Sequence, residues 1–160
     1  ASIDHVARRT TVLGTINTAA NFIPVVSIRL ASGRTGAVVI PNRIQFQPTT
    51  LQNYELALIK NPTLTGATWA ATVPSDSNVE FDVAATAISA AGTIVQTGYI
   101  SNSGGGGQSS TLSPEGYNWD TQIGATIAGV SDIYTLGVRT ISGATTGDGV
   151  GSISFYDLTQ

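Results

Sequence analysis

Apolar and polar residues alternate with period two along much of this chain, and that period predicts strands whose side chains point to opposite faces in turn. The clearest case is Val79, Phe81 and Val83 set against Glu80 and Asp82, which predicts a strand with one dry face and one wet face. Tyr54, Leu56 and Leu58 share one side of an earlier run that ends at Asn61-Pro62, because proline has no N–H to give to a ladder. A short run at 67–72, a turn cluster at 74–78 and a β-branched stretch at 92–100 complete the centre of the chain. Residues 52–100 are therefore expected to form an antiparallel meander, with Trp69 and Phe81 filling a core.

The flanks read in the same way. Residues 10–17 and 22–30 predict strands, the second with Val26, Ile28 and Leu30 on one side. Pro24 near its start favours a sheet edge. Residues 31–36 predict a hairpin-type turn. Residues 37–40 and 43–47 predict two short strands interrupted by Pro41-Asn42. The Gly/Ser-rich stretch 101–110 predicts an exposed loop, with little to bury and much entropy to lose. Residues 114–120 form an aromatic-bearing loop, and 122–128 a further strand. Residues 132–142 predict a strand with Tyr134, Leu136 and Val138 on one face. A turn at 143–149 precedes a last strand over 151–158 with Ile153 and Phe155 inward.

These nine or ten strands, with no amphipathic helix, predict an all-β fold. Regular short strands with turn punctuation point to a sandwich or barrel. Eight or more strands in two sheets is the jelly-roll count, so the expected fold is an antiparallel β-sandwich of jelly-roll type with about 8–10 strands. Leu56, Trp69, Phe81, Leu136 and Phe155 are its expected core. The chain divides into residues 1–21, an N-terminal arm and first strand, and residues 22–160, a single sandwich domain. Within the arm, residues 1–9 carry no pattern and are expected to form an arm or a short helical turn.

Composition narrows the functional classes. The hydrophobic fraction is 41% but only 11% of residues are charged, against about 25% in typical soluble domains. Such a surface, built from Thr, Ser, Asn, Gln and Ala, suits packing against partners or further copies of the chain. Cysteine is absent, which rules out a disulfide framework and a thiolate metal site. The apolar runs are too short for a membrane-spanning helix, and the start shows no secretory-signal pattern. Arg8, Arg9, Arg29, Arg34 and Arg43 gather in the first 43 residues beside one acid, Asp4. These arginines are the candidate partner-binding residues. No aromatic residues interleave with them as nucleic-acid platforms require, so a protein partner is expected instead.

No constellation carries catalysis. The one histidine, His5, lies beside Asp4 in the patternless start. No serine sits in a nucleophile elbow, and Gly104 to Gly107 lack the Lys-Ser/Thr of a phosphate cradle. Glu80 and Asp82 share a strand face and could serve as paired carboxylates on a sugar, but the wet face of an amphipathic strand accounts for them more simply. Asp76-Ser77-Asn78 and Gly147-Asp148-Gly149 have too few oxygen ligands for calcium and read as turns. Tyr117 and Trp119 form a possible ligand-facing loop that could stack on a sugar or fold back to cap the sandwich. The expectation is a non-enzymatic protein with no cofactor and no metal.

Five stretches go together: Pro24-Val25-Val26-Ser27-Ile28-Arg29-Leu30, Glu55-Leu56-Ala57-Leu58-Ile59-Lys60-Asn61-Pro62 continuing to Trp69, Ser77-Asn78-Val79-Glu80-Phe81-Asp82, Thr93-Ile94-Val95-Gln96-Thr97-Gly98-Tyr99-Ile100 followed by the Gly/Ser loop, and Asp132-Ile133-Tyr134-Thr135-Leu136-Gly137-Val138-Arg139. Together they resemble a family of tailed-bacteriophage virion proteins. The resemblance spans residues 22–158. It implies a structural component of the particle surface: a capsid decoration (cement) protein, a head fibre or a tail-associated protein. It further implies a homotrimer docked on the major capsid protein or other virion proteins. The stalk or anchor before residue 22 is shorter than the resemblance implies, which favours a decoration protein. The alternative is a carbohydrate- or receptor-binding module of a fibre or tail, with Tyr117 and Trp119 as its glycan platform.

Overall fold

The period-two pattern folds into thirteen strands in a computed structural model of the chain, which describes residues 3–17, 21–49, 53–71, 78–101, 110–112, 122–141 and 147–157. In chain order the strands are β1 (Ile3–Arg8), β2 (Leu13–Ile16), β3 (Ile23–Leu30), β4 (Val39–Pro48), β5 (Asn53–Lys60), β6 (Thr63–Thr65) and β7 (Trp69–Ala71). They continue with β8 (Val79–Asp82), β9 (Ala87–Ala90), β10 (Thr93–Ser101), β11 (Ser110–Leu112), β12 (Ile133–Thr140) and β13 (Gly147–Asp157). Every pairing between them is antiparallel.

The strands form a β-sandwich. One sheet has the order β1-β13-β4-β11, and β2 follows β1 along the same edge of β13. The other has the order β10-β5-β12-β3-β8-β7. Between them lies a core that includes Val26, Ile28, Phe46, Tyr54, Leu56, Leu58, Tyr134, Leu136, Val138, Ile153 and Phe155, all buried. Burying each such side chain contributes on the order of 1.5–3 kcal/mol. The hairpin β6-β9 makes a third, small layer. Its Ile88 and Leu64 pack on Phe22, Ala57 and Ile59, away from the main core. That cover explains why β5 is buried on both faces over Leu56–Ile59.

Several expectations change. Residues 3–8 are no arm or helical turn: they pair with β13 from Ile3 opposite Asp157 to Arg8 opposite Ser152. A short strand gains its stability from the ladder it joins and not from its own pattern, so no periodicity announced it. The centre is not a consecutive meander. β5 pairs with β10 and β12, and β6 to β9 are inserted between β5 and β10. The two short strands around Pro41-Asn42 are one, β4, because a bulge absorbs the break: Arg43 faces Ser154, Pro41 faces Phe155, and Asn42 is the extra residue. Pro24 lies where only β12 flanks β3, since pairing with β8 spans Ser27 to Leu30. Residues 122–128 form no strand beyond a bridge between Ala125 and Ser131. The turn expected at 143–149 gives way at Gly147, where β13 begins. A Cβ at Gly147 would run into the Tyr54 ring, and one at Gly149 into the Phe46 ring. These glycines mark close packing within a strand and not a turn.

Asn61 ends β5 as its sequence position suggests, but by a particular device. Its φ of 55° is left-handed, a conformation asparagine tolerates better than most residues. Its N–H donates to the Ile133 carbonyl at 2.7 Å and its Nδ2 to Asp132 Oδ1 at 2.9 Å, while its Oδ1 accepts from the Ile133 N–H at 2.9 Å. The side chain thus ties the end of β5 to the start of β12.

Candidate interaction surface

The five arginines of the first 43 residues do not form one basic patch. Arg9 turns inward. Its Nε donates to the Val25 carbonyl at 2.8 Å and its Nη2 to the Val83 carbonyl. Burial pushes its pKa below the usual guanidinium value, and the charge of Asp82 offsets part of that. Arg29 donates to Glu80 on the neighbouring strand at 2.5 Å and stacks over Trp69, 4.2 Å from the ring centroid. Arg34, exposed in the turn after β3, donates to Asn78 Oδ1 at 2.7 Å. Asn78 is in turn gripped by buried Asp157, which accepts from its backbone N–H at 2.9 Å and from its Nδ2 at 3.0 Å. Arg9, Arg29 and Arg34 therefore brace the fold.

Arg8 and Arg43 are the two that remain exposed on the outer face of the five-stranded sheet. Arg8 is opposite Ser152 and Arg43 opposite Ser154, on either side of β13. Strand spacing and rise put their Cα atoms roughly 12 Å apart. Arg43 reaches Ser154 Oγ at 3.4 Å. Neither makes an ion pair among the described residues. Gln45 and Ser152 share the row of Arg8, and exposed Val6 lies opposite Ser154 in the row of Arg43. Beside Arg8 an open cleft of about 640 Å³ runs between the β1–β2 connection and β8, lined by Val6, Arg9, Thr11, Phe81 and Val83 among others. Two cations, neutral hydroxyl and amide groups and an apolar wall suit contact with a protein surface that carries carboxylates.

The expected carboxylate pair is not available for chemistry. Glu80 is engaged by Arg29. Asp82 is buried, against the expectation of a wet face, and accepts from three backbone N–H groups: Thr68 at 2.7 Å, Ala84 at 3.0 Å and Ala85 at 3.2 Å. It shapes the chain around β7 and the exit of β8. Trp69 and Phe81 are only partly buried, because β7 and β8 form the margin of their sheet. Trp69 serves as the platform for Arg29 and not as a core residue. His5 sits in β1 opposite Phe155, and its side chain lies outside the described residues, as do Tyr117 and Trp119. Among the described residues no three His, Cys, Asp or Glu side chains are placed to hold a metal.

One element was missed by sequence reasoning. Arg139 donates to Glu55 at 2.6 Å and stacks over Phe22, 4.5 Å from the centroid. Tyr99 Oη donates to the other oxygen of Glu55 at 3.1 Å. This repeats the Arg29, Glu80 and Trp69 arrangement farther along the same sheet. The signal was present in residue parity: Arg139 and Arg29 each alternate with core residues on strands of their own, so both had to face outward.

Comparison with known proteins gives no assignment: no family model, no curated protein and no solved structure matches the chain.

Proposed function

We propose that this chain is a non-enzymatic structural protein of a bacteriophage particle, a capsid decoration protein that docks on the head surface as a homo-oligomer. One observation carries the reading. Most of the stretches that resemble phage virion proteins fall on strands of a single sheet, β3, β5, β8, β10 and β12, with the start of β7, while β6 within the same stretches belongs to the small hairpin layer. That the stretches are neighbours in the fold supports the reading. The connectivity supports it further. From β3 to β5, and again from β10 to β13, the chain passes from one sheet to the other at each step, which is the crossing pattern of a jelly roll, a fold used by viral capsid domains.

The outer face of the five-stranded sheet is the docking surface in this reading, with Arg8 and Arg43 pairing with carboxylates of the major capsid protein. Co-sedimentation of the purified protein with heads stripped of their decoration tests it. The wild type is expected to pellet with heads. The Arg8→Glu, Arg43→Glu double variant is expected to bind at least about tenfold more weakly, with greater loss at higher salt, and to keep the wild-type melting temperature. Failure of the wild type to bind, together with binding on a glycan array, would replace this reading with the carbohydrate-binding one.

A further inference from the structure

We propose that the cleft between the β1–β2 connection and β8 is a binding site for a small carboxylate ligand with an apolar body, such as a medium-chain fatty acid, and that Arg9 holds its carboxylate. The inward turn of Arg9 follows from parity. Ala7 is buried in the core, so Arg9, two residues on, points the same way, and its N–H still donates to the Gly151 carbonyl at 2.9 Å. At this point β1 gives way to the connection that leads into β2. The side chain lines a cleft of about 640 Å³ together with Val6, Thr10, Thr11, Phe81 and Val83. Ligand cavities ordinarily measure about 300–1,000 Å³. Val6, Thr10 and Thr11 are exposed and Phe81 and Val83 half-buried, so solvent reaches these walls.

The guanidinium in this cleft is hydrogen-bonded but not neutralised. Its Nε and Nη2 donate to the carbonyls of Val25 and Val83, which are uncharged acceptors. Arginine has five donor hydrogens, and Nη1 donates to nothing among the described residues. No described carboxylate lies within ion-pair distance of it. Asp82 acts on it from farther off, and the Asp82 oxygens are engaged by the N–H groups of Thr68, Ala84 and Ala85. Burial penalises a cation without a counter-charge, and the lowered pKa of Arg9 reflects that penalty. A bound carboxylate offsets it by accepting two bonds, in fork geometry, from Nη1 and Nη2.

The rest of the cleft selects the body of the ligand. Val6, Phe81 and Val83 supply an apolar wall, and Phe81 and Val83 pack against the main core. Thr10 and Thr11 bring uncharged hydroxyls to it. One inward cation beside an apolar wall fits a monoanion that carries hydrocarbon, since a few placed polar groups orient a ligand that apolar lining otherwise holds. This site is independent of the particle-protein reading, whose docking contacts are Arg8 and Arg43.

Titration of the isotope-labelled full chain with octanoate at neutral pH, followed by amide chemical shifts, tests the proposal. Saturable shifts are expected at Arg9, Thr10, Thr11 and Val83, with a Kd of about 1 mM or tighter. Octanol keeps the apolar body without the charge, and acetate keeps the charge without the body. Each is expected to bind at least about tenfold more weakly than octanoate. Thr11→Glu, at an exposed position, is expected to weaken octanoate binding at least about tenfold through like-charge repulsion. Thr11→Lys is expected to bind at least as well as the wild type, and both variants to keep its melting temperature. No saturation up to about 10 mM octanoate, shifts centred away from the cleft, equal affinity for octanol or acetate, or variants that bind octanoate alike would overturn it.

Discussion

Tyr134 carries its hydroxyl into the core, fully buried, and that oxygen has no hydrogen-bond partner among the described residues. Burial, and to a lesser degree the charge of Asp132, push its pKa from the ordinary 10.0 up to about 12. An unsatisfied buried hydroxyl costs about 1–3 kcal/mol, and removing it without opening a cavity recovers part of that. Tyr134→Phe is therefore expected to raise the melting temperature by about 2–4 °C. The same residue sets an alkaline limit. Its folded pKa lies above the unfolded one, so folding favours the protonated phenol. That contribution is complete below about pH 10 and is lost as pH rises through about 12. Thermal melts between pH 9 and 12 are expected to fall more steeply for the wild type than for Tyr134→Phe; parallel curves would show that the phenol is not the group involved. The burial of Tyr134, Leu136 and Val138 was legible in the alternation of their strand. The roles of Trp69 and Asp82 were not. Their burial depends on which strands lie beside β7 and β8, and alternation along one strand fixes faces without fixing neighbours.

At the scale of the element, the least legible strand is the first. β1 contributes Ala7 to the core and runs in register with β13 for six residues. Nothing in its own sequence marks it, because its order is supplied by β13. The opposite case is β5, whose Tyr54, Leu56 and Leu58 face was plain from spacing, while the burial of Ala57 and Ile59 on the other face was not, since their cover, Ile88, comes from β9 nearly thirty residues away. The β1 assignment has a direct consequence. A chain lacking residues 1–9 loses a paired edge strand together with the hydrogen bonds of Arg9 to Val25 and Val83. It is expected to be less stable by about 2–4 kcal/mol, from lost ladder bonds and apolar burial, and chemical denaturation would read this as a lower midpoint. An unchanged midpoint would mean that residues 3–8 act as the free arm that the sequence suggested.

For the whole molecule, function was less legible than fold. An all-β sandwich follows from strand spacing and turn punctuation, whereas the candidate surface depends on which arginines the topology spends internally. Arg9, Arg29 and Arg34 are close in sequence to Arg8 and Arg43, yet only the latter two stay on an open face without fold-bracing bonds of their kind. Tyr117 and Trp119 lie outside the described residues. The proposed function places this sandwich on the head of a phage particle. Immunogold electron microscopy of virions assembled from the genome that encodes the chain tests this most directly, with an antibody raised against the purified protein. Label distributed over the head surface is the expected result. Particles whose heads carry no label, or label confined to the tail or its fibres, would contradict it.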